Sequence, residues 1–280
     1  MNIKYKVSKL KNSKIEELKD SVSVEEPLEM RLKYKTNNKW EIQNISITMR
    51  TPGNDEDLIR GFLFNERIIE NMNEIESIEH QGDEVGDYNL QNIIEATINK
   101  IDNLEIGKLK RNFVTNSSCG VCGKTSLDSI EAIKTNKISL SYPQIKEEII
   151  LRSPKLLMNE QSEFAKTGGI HASALIDENG KIIATREDVG RHNALDKLIG
   201  YTITNNLLNP KKQFIACSGR LNFELVQKGL MTNIGVMTGV GAPTSLAIDL
   251  AKRFDMTLLG FVKESSVNIY SNKNRIILSN

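Results

Sequence analysis

Cysteine and histidine are both scarce in this chain, with three of each in 280 residues. So few cysteines exclude a disulfide-stapled secreted scaffold. They also leave little from which to build a structural zinc site, which needs four ligands. Aromatic residues make up 5% and the formal net charge is +1, so neither the stacking platforms nor the basic surface of a nucleic-acid binder is present. No apolar run reaches membrane-spanning length. The start, Met1-Asn2-Ile3-Lys4-Tyr5-Lys6, lacks the apolar centre of a signal peptide. These absences lead to the expectation of a soluble, cytoplasmic protein with free thiols. The rest is ordinary: 39% hydrophobic and 26% charged residues suffice for one large domain or two smaller ones.

Two of the cysteines, Cys119 and Cys122, stand in a C-x-x-C within the stretch from Thr115 to Thr125. Each is followed by glycine, which costs nothing at positive φ, so the stretch reads as an accessible loop. Thr125-Ser126-Leu127-Asp128 has a helix-capping pattern. Lys108, Lys110, Arg111 and Lys124 surround the pair. Cations and a helix N-terminus both depress a thiol pKa. Three chemistries compete here: half of a zinc site, thiol–disulfide exchange, and carriage of sulfur as a persulfide. Only Cys217, His80, His171 and His192 remain to complete a zinc site, and no second C-x-x-C exists. A reactive sulfur loop therefore moves ahead of zinc, and no metal site is expected.

The first twenty residues, rich in Lys and Glu, read as a loose lead-in. Pro27–Tyr34 and Trp40–Met49 alternate as a strand hairpin does. A helix capped by Asp55 or Asp57 is predicted through Ile68, then strands at 75–80 and 93–98. This half is an α+β unit, residues 1–138, ending in the sulfur loop. Residues 139–280 alternate strands with helices, which predicts a layered α/β domain with a largely parallel sheet. Its first helical stretch, about 143–164, is expected to break at Ser153-Pro154. Asp177-Glu178-Asn179-Gly180 is a hairpin turn. Helices are expected from Val189, over Phe223–Met231 and from Pro243 to Ala251.

The turns of the second half concentrate polar residues: Thr167–His171, Arg186–Asn193, Ser218-Gly219-Arg220 and Gly239–Ser245. Any one is an ordinary tight turn. Four in one sheet, two of them leading from strand to helix, predict a pocket for a phosphate-bearing, nucleotide-like ligand. Cys217 ends an apolar strand and reads as a buried small hydrophobe. Zinc nucleobase deaminases carry H-x-E ahead of P-C-x-x-C. Here His171-Ala172-Ser173 lacks the glutamate and the C-x-x-C comes first.

The C-G-V-C-G loop, T-G-G-I-H-A-S-A, R-E-D-V-G-R-H-N-A-L-D-K-L-I-G, S-G-R-x-x-x-E-L-V-Q-K, A-P-T-S-L-A and T-L-L-G-F-V-K together resemble the formate dehydrogenase accessory sulfurtransferase family, in its order, over roughly residues 115–270. The resemblance implies a sulfur carrier. Such a protein takes persulfide sulfur from a cysteine desulfurase onto Cys119, with Cys122 as companion. It passes the sulfur to the molybdenum or tungsten of a bis(molybdopterin guanine dinucleotide) cofactor, needed by formate dehydrogenase. It also implies a C-terminal half similar to the cytidine deaminase fold without zinc, a homodimer, and cofactor contacts from Phe261, Val262, Lys263, Glu264, Ser265 and Ser266. Ser266 departs from the family, where a basic residue is common. With the cofactor's guanine nucleotides anchored in the α/β turns, Asp188, Arg191, His192, Ser218 and Arg220 are expected to line their pocket. The alternative is an assembly chaperone that holds metal or cofactor without sulfur transfer.

Overall fold

The computed structural model describes residues 1–36, 38–86, 88–98 and 137–279. Cys119, Cys122 and the whole predicted sulfur loop lie outside them.

The N-terminal lead-in is a hairpin, not a loose segment. Strands β1 (Asn2–Lys11) and β2 (Lys14–Ser23) pair antiparallel along their full length. Asn12 and Ser13, both at positive φ, make the two-residue turn whose twist suits a hairpin. The lysines hid a period of two: Ile3, Tyr5 and Val7 face Val22, Asp20 and Leu18 across the ladder.

Strands β3 (Glu26–Thr36) and β4 (Lys39–Arg50) form the predicted hairpin. With β5 (Ile75–Gln81) and β6 (Ile93–Ile98) they make a sheet of order β4-β3-β6-β5. Alternate residues Leu28, Met30, Leu32 and Tyr34 are buried against Leu58, Ile59 and Leu63 of helix α1 (Asp55–Asn65). Helix α1 stops short of the predicted Ile68, where Arg67 turns to positive φ.

The second unit begins with the short strand β7 (Ile145–Lys146), helix α2 (Glu147–Glu160) and helix α3 (Ser162–Thr167). Pro154 does not break α2. A proline at this position cannot bond the carbonyl four residues back, and the Ser153 hydroxyl donates to that Ile150 carbonyl at 2.7 Å instead.

Then follow β8 (His171–Asp177), β9 (Ile182–Asp188), α4 (Arg191–Thr204), β10 (Gln213–Cys217), α5 (Phe223–Met231), β11 (Val236–Gly239), α6 (Ser245–Arg253), β12 (Thr257–Lys263) and β13 (Ser266–Ser271). A last strand, β14 (Ile276–Ile277), pairs with β7. The main sheet has the order β13-β12-β11-β10-β8-β9. It is mixed rather than largely parallel: only β10/β11 and β11/β12 run parallel. Helical crossovers make those two pairs, whereas tight turns fold β9 onto β8 and β13 onto β12. Leu175, Ile215, Met237 and Leu258 face one side of the sheet, with α4, α5 and α6. Ala174, Phe214, Val236 and Leu259 face the other, with α2. The result is a helix–sheet–helix sandwich.

The two units meet where α1 crosses α4. A Cβ on Gly61 would lie 1.9 Å from the Asp196 carbonyl oxygen, and one on Gly200 would lie 2.0 Å from that of Asp57. Only glycine lets the backbones approach so closely. Arg186 reinforces the contact by donating to Asp57 at 2.9 Å and stacking on Tyr201 at 3.7 Å.

Candidate functional site

The strand directions bring the polar turns to one edge of the main sheet. Cys217, at the end of β10, is level with Gly239 on β11 and Ser173 on β8. Asp188, at the end of β9, is level with His171 on β8. Backbone hydrogen bonds then stitch the turns together: Val240 N–H to the Cys217 carbonyl at 3.2 Å, Gly241 to Gly219 at 3.1 Å and Phe261 to Gly241 at 3.2 Å. Two glycines keep these turns close, and at Gly241 glycine is required. A Cβ on Gly219 would lie 3.2 Å from His171 Nδ1, and one on Gly241 would lie 2.9 Å from Arg220 Cγ.

Arg191 and Arg220 are brought together at this edge. Neither forms an ion pair or a side-chain hydrogen bond among the described residues, and Arg191 Nε is buried without a partner. A buried guanidinium donor is costly to leave unsatisfied, so the arrangement suits an incoming anion. Ser218, half-buried, extends the β8/β10 ladder. Its N–H donates to the Ala172 carbonyl and its Oγ accepts from Ala172 N–H, both at 2.9 Å.

The three cysteine and histidine side chains of this unit differ. Cys217 is buried, and burial pushes its thiol up to about 11, which removes it as a nucleophile at neutral pH. His192 is oriented by Asn222 Oδ1 at 3.1 Å and Glu224 at 3.4 Å. Burial lowers its pKa, Lys228 and Arg191 lower it further, and Glu224 opposes them. His171 is also held below its ordinary value, first by burial and then by Arg191 and Arg220.

Asp188 does not line the edge. It is fully buried, and its carboxylate receives Lys197 Nζ at 2.7 Å, Gly190 N–H at 2.8 Å and Thr51 N–H at 3.1 Å. Its role is to fix the start of α4, and so Arg191 and His192, against the first unit.

The arrangement can be compared with known proteins. The FdhD/NarQ family model matches residues 23–277. The chain belongs to the FdhD/NarQ family. It is 37% identical to the sulfur carrier protein FdhD of Sulfurisphaera tokodaii, over 98% of each chain. It is 41% identical to that of Picrophilus torridus, over 92% of each. A crystal structure from Desulfotalea psychrophila, provisionally assigned as a formate dehydrogenase accessory protein, superposes with a TM-score of 0.73. That likeness covers 99% of both chains at 22% identity.

In this FdhD/NarQ chain the segment Phe261–Ser266 forms the end of β12 and the turn into β13 at the same edge, with a register shift between Gly260 and Lys263. Phe261 sits at φ 52° and is 43% exposed. Left-handed backbone is uncommon for a bulky residue, and such outliers concentrate at functional sites. Lys263, Glu264, Ser265 and Ser266 are exposed, whereas Val262 is buried in the core beneath α2. A separate cleft of about 540 Å³ near the start of α1, lined by Arg50, Asp55 and His80 among others, shares none of these residues.

The sequence reading set His171 beside the pocket turns without counting it as a lining residue, since its register partner Asp188 is seventeen residues away across a hairpin. It missed Asn193 and Lys197 as supports. Their partners, Met49 and Thr51, belong to the other unit, and no local pattern signals a contact over such a separation.

Proposed function

We propose that this protein is a sulfurtransferase of molybdenum cofactor maturation, needed for formate dehydrogenase activity. The observation that carries the reading is the buried, unpartnered Nε of Arg191, with the exposed Arg220 beside it, at the glycine turns on the carboxyl edge of the sheet. Phosphates of a bis(molybdopterin guanine dinucleotide) substrate would fit there, with bidentate contacts from both arginines. Phe261 and Lys263 stand beside that position. The cytidine deaminase-like layering expected of the second unit is compatible with its helix–sheet–helix order.

The sulfur chemistry belongs to Cys119 and Cys122, the thiols other than the buried Cys217. The Cys119 thiolate attacks the outer sulfur of a desulfurase persulfide. A new S–S bond forms, the donor's S–S bond breaks, and the donor leaves as a thiolate. No net oxidation occurs. Release of that sulfur at the oxidation level of sulfide takes two electrons, which Cys122 supplies by closing a disulfide with Cys119 as the outer S–S bond breaks. The names of relatives as sulfur carriers support the reading. So does the provisional assignment of the Desulfotalea psychrophila protein as a formate dehydrogenase accessory protein.

The test is maturation in cells. A strain relying on the Cys119→Ser/Cys122→Ser variant should make formate dehydrogenase protein with little activity. Full activity would overturn the reading. A second class, a holding chaperone without sulfur chemistry, predicts that full activity.

A further inference from the structure

We propose that His171 is a ligand-contacting residue of the anion site, and that it takes up a proton when a nucleotide diphosphate binds. This rests on the reading above and goes beyond it by adding a third, conditional cation.

The geometry carries the case. His171 opens β8 directly opposite Asp188, so its ring reaches the edge where the strand ends gather. The bare backbone of Gly219 lies under it: a Cβ there would be 3.2 Å from Nδ1, 3.3 Å from Cε1 and 3.9 Å from Arg191 Cδ. Ring and guanidinium stem therefore flank one glycine. Among the chain's three histidines, His80 and His192 each place a ring nitrogen on a hydrogen-bond partner. His171 is half-buried, yet neither of its ring nitrogens has a partner among the described residues. Such a ring keeps its hydrogen-bonding capacity for something that arrives.

The charged groups that face it are Arg191 at the start of α4, Arg220 beyond β10 and Asp188 at the end of β9. Asp188 is already committed to Lys197, so burial first and then the two guanidiniums disfavour the charged form of the free ring. A bound diphosphate reverses this balance. Its negative charge cancels the guanidinium repulsion and adds attraction, which favours the imidazolium. The proton comes from solvent. By linkage, affinity then rises as pH falls between the bound-state and free-state pKa values of His171.

The probe is GDP-glucose, whose diphosphate is a diester and has no phosphate proton of its own to exchange near neutrality. Calorimetric titration at about pH 6.5, in two buffers of different ionisation enthalpy, reads the proton count. The wild type should take up a substantial fraction of one proton, and its affinity should rise several-fold from about pH 8 to about pH 6. His171→Gln and His171→Asn should take up none and show a flat profile, with unchanged circular dichroism. Proton-neutral, pH-independent binding by the wild type would overturn the inference, as would uptake that persists in both variants. If that neutral binding still disappears in Arg191→Ala, the reading of the site stands without His171. A wild type that does not bind the probe sinks both.

Discussion

Lys197 Nζ and the Asp188 carboxylate stand 2.7 Å apart, with their side chains 1% and 0% exposed. Lys197 also donates to the Thr51 carbonyl at 2.8 Å, and Asn193 Nδ2 donates to Met49 O at 2.8 Å and to Asp188 at 3.2 Å. The motif that marks the family thus acts as a clamp. Its Asp188, Asn193 and Lys197 hold the first turn of α4, and with it Arg191 and His192, against the first unit.

Removing one member of a buried pair strands the other, at a cost of about 3–5 kcal/mol. Lys197→Met is therefore expected to lower unfolding free energy by that order, with Asp188→Asn/Lys197→Met together costing less than Lys197→Met alone. Denaturant titration of the three proteins checks this. Equal stability of Lys197→Met and wild type would mean that the clamp is incidental.

The crossing of α1 and α4 leaves no room for a methyl group. Gly61→Ala and Gly200→Ala should each destabilise by about 1–3 kcal/mol or more, since backbone must shift. Thermal melts of both variants would show it. A melting temperature unchanged in either would mean that the two helices can separate freely.

Glu163 on α3 ties down the N-terminal hairpin. Hydrogen bonds from Asn2 and Lys166 lower its carboxyl to about 2. A depressed carboxyl contributes stability above its unfolded-state pKa, and that contribution fades as pH falls through the folded-state value. The window here runs from about 4.5 down to about 2. Protection of the β1 and β2 amides against hydrogen exchange, corrected for the intrinsic rate at each pH, should fall across that window in the wild type. In Glu163→Gln it should be lower at neutral pH and change less on acidification.

Much of this was legible in the sequence, and the failures share a cause. The β3–β4 hairpin, β8–β9 with its Asn-Gly turn, and α5 follow local signals of period and turn chemistry, and the structure keeps them. The β1–β2 hairpin was obscured because lysine is common in both loops and exposed strands. Pro154 sits inside a helix because Ser153 takes over the stranded carbonyl, a compensation invisible until both are placed. Strand direction depends on which connections cross over, so the mixed sheet escaped a reading based on alternation alone. At the strand-end edge, Arg191 and Arg220 both face His171, while His192 turns to Asn222 and Glu224 and Ser218 joins the β8/β10 ladder. Asp188 and Val262 are buried, because a polar or apolar residue at a strand end can face inward or outward and sequence does not say which.

The guanidiniums give a direct test of the site. Arg191→Ala and Arg220→Ala should each weaken GDP binding strongly, by about 1.5–3 kcal/mol for a lost charged hydrogen bond. The corresponding lysine variants should recover only part, since lysine lacks the bidentate fork. Fluorescence or calorimetric titration measures it. Undiminished binding in both alanine variants would remove these arginines from the site.

The most direct test of sulfur carriage is intact-protein mass spectrometry after incubation with a cysteine desulfurase and cysteine. The wild type should gain one sulfur atom per chain. Cys217→Ala should gain it equally, because that thiol is buried and pushed up to about 11, and Cys119→Ala should gain none. Sulfur gained undiminished by Cys119→Ala/Cys122→Ala, or no gain by the wild type, would contradict the account.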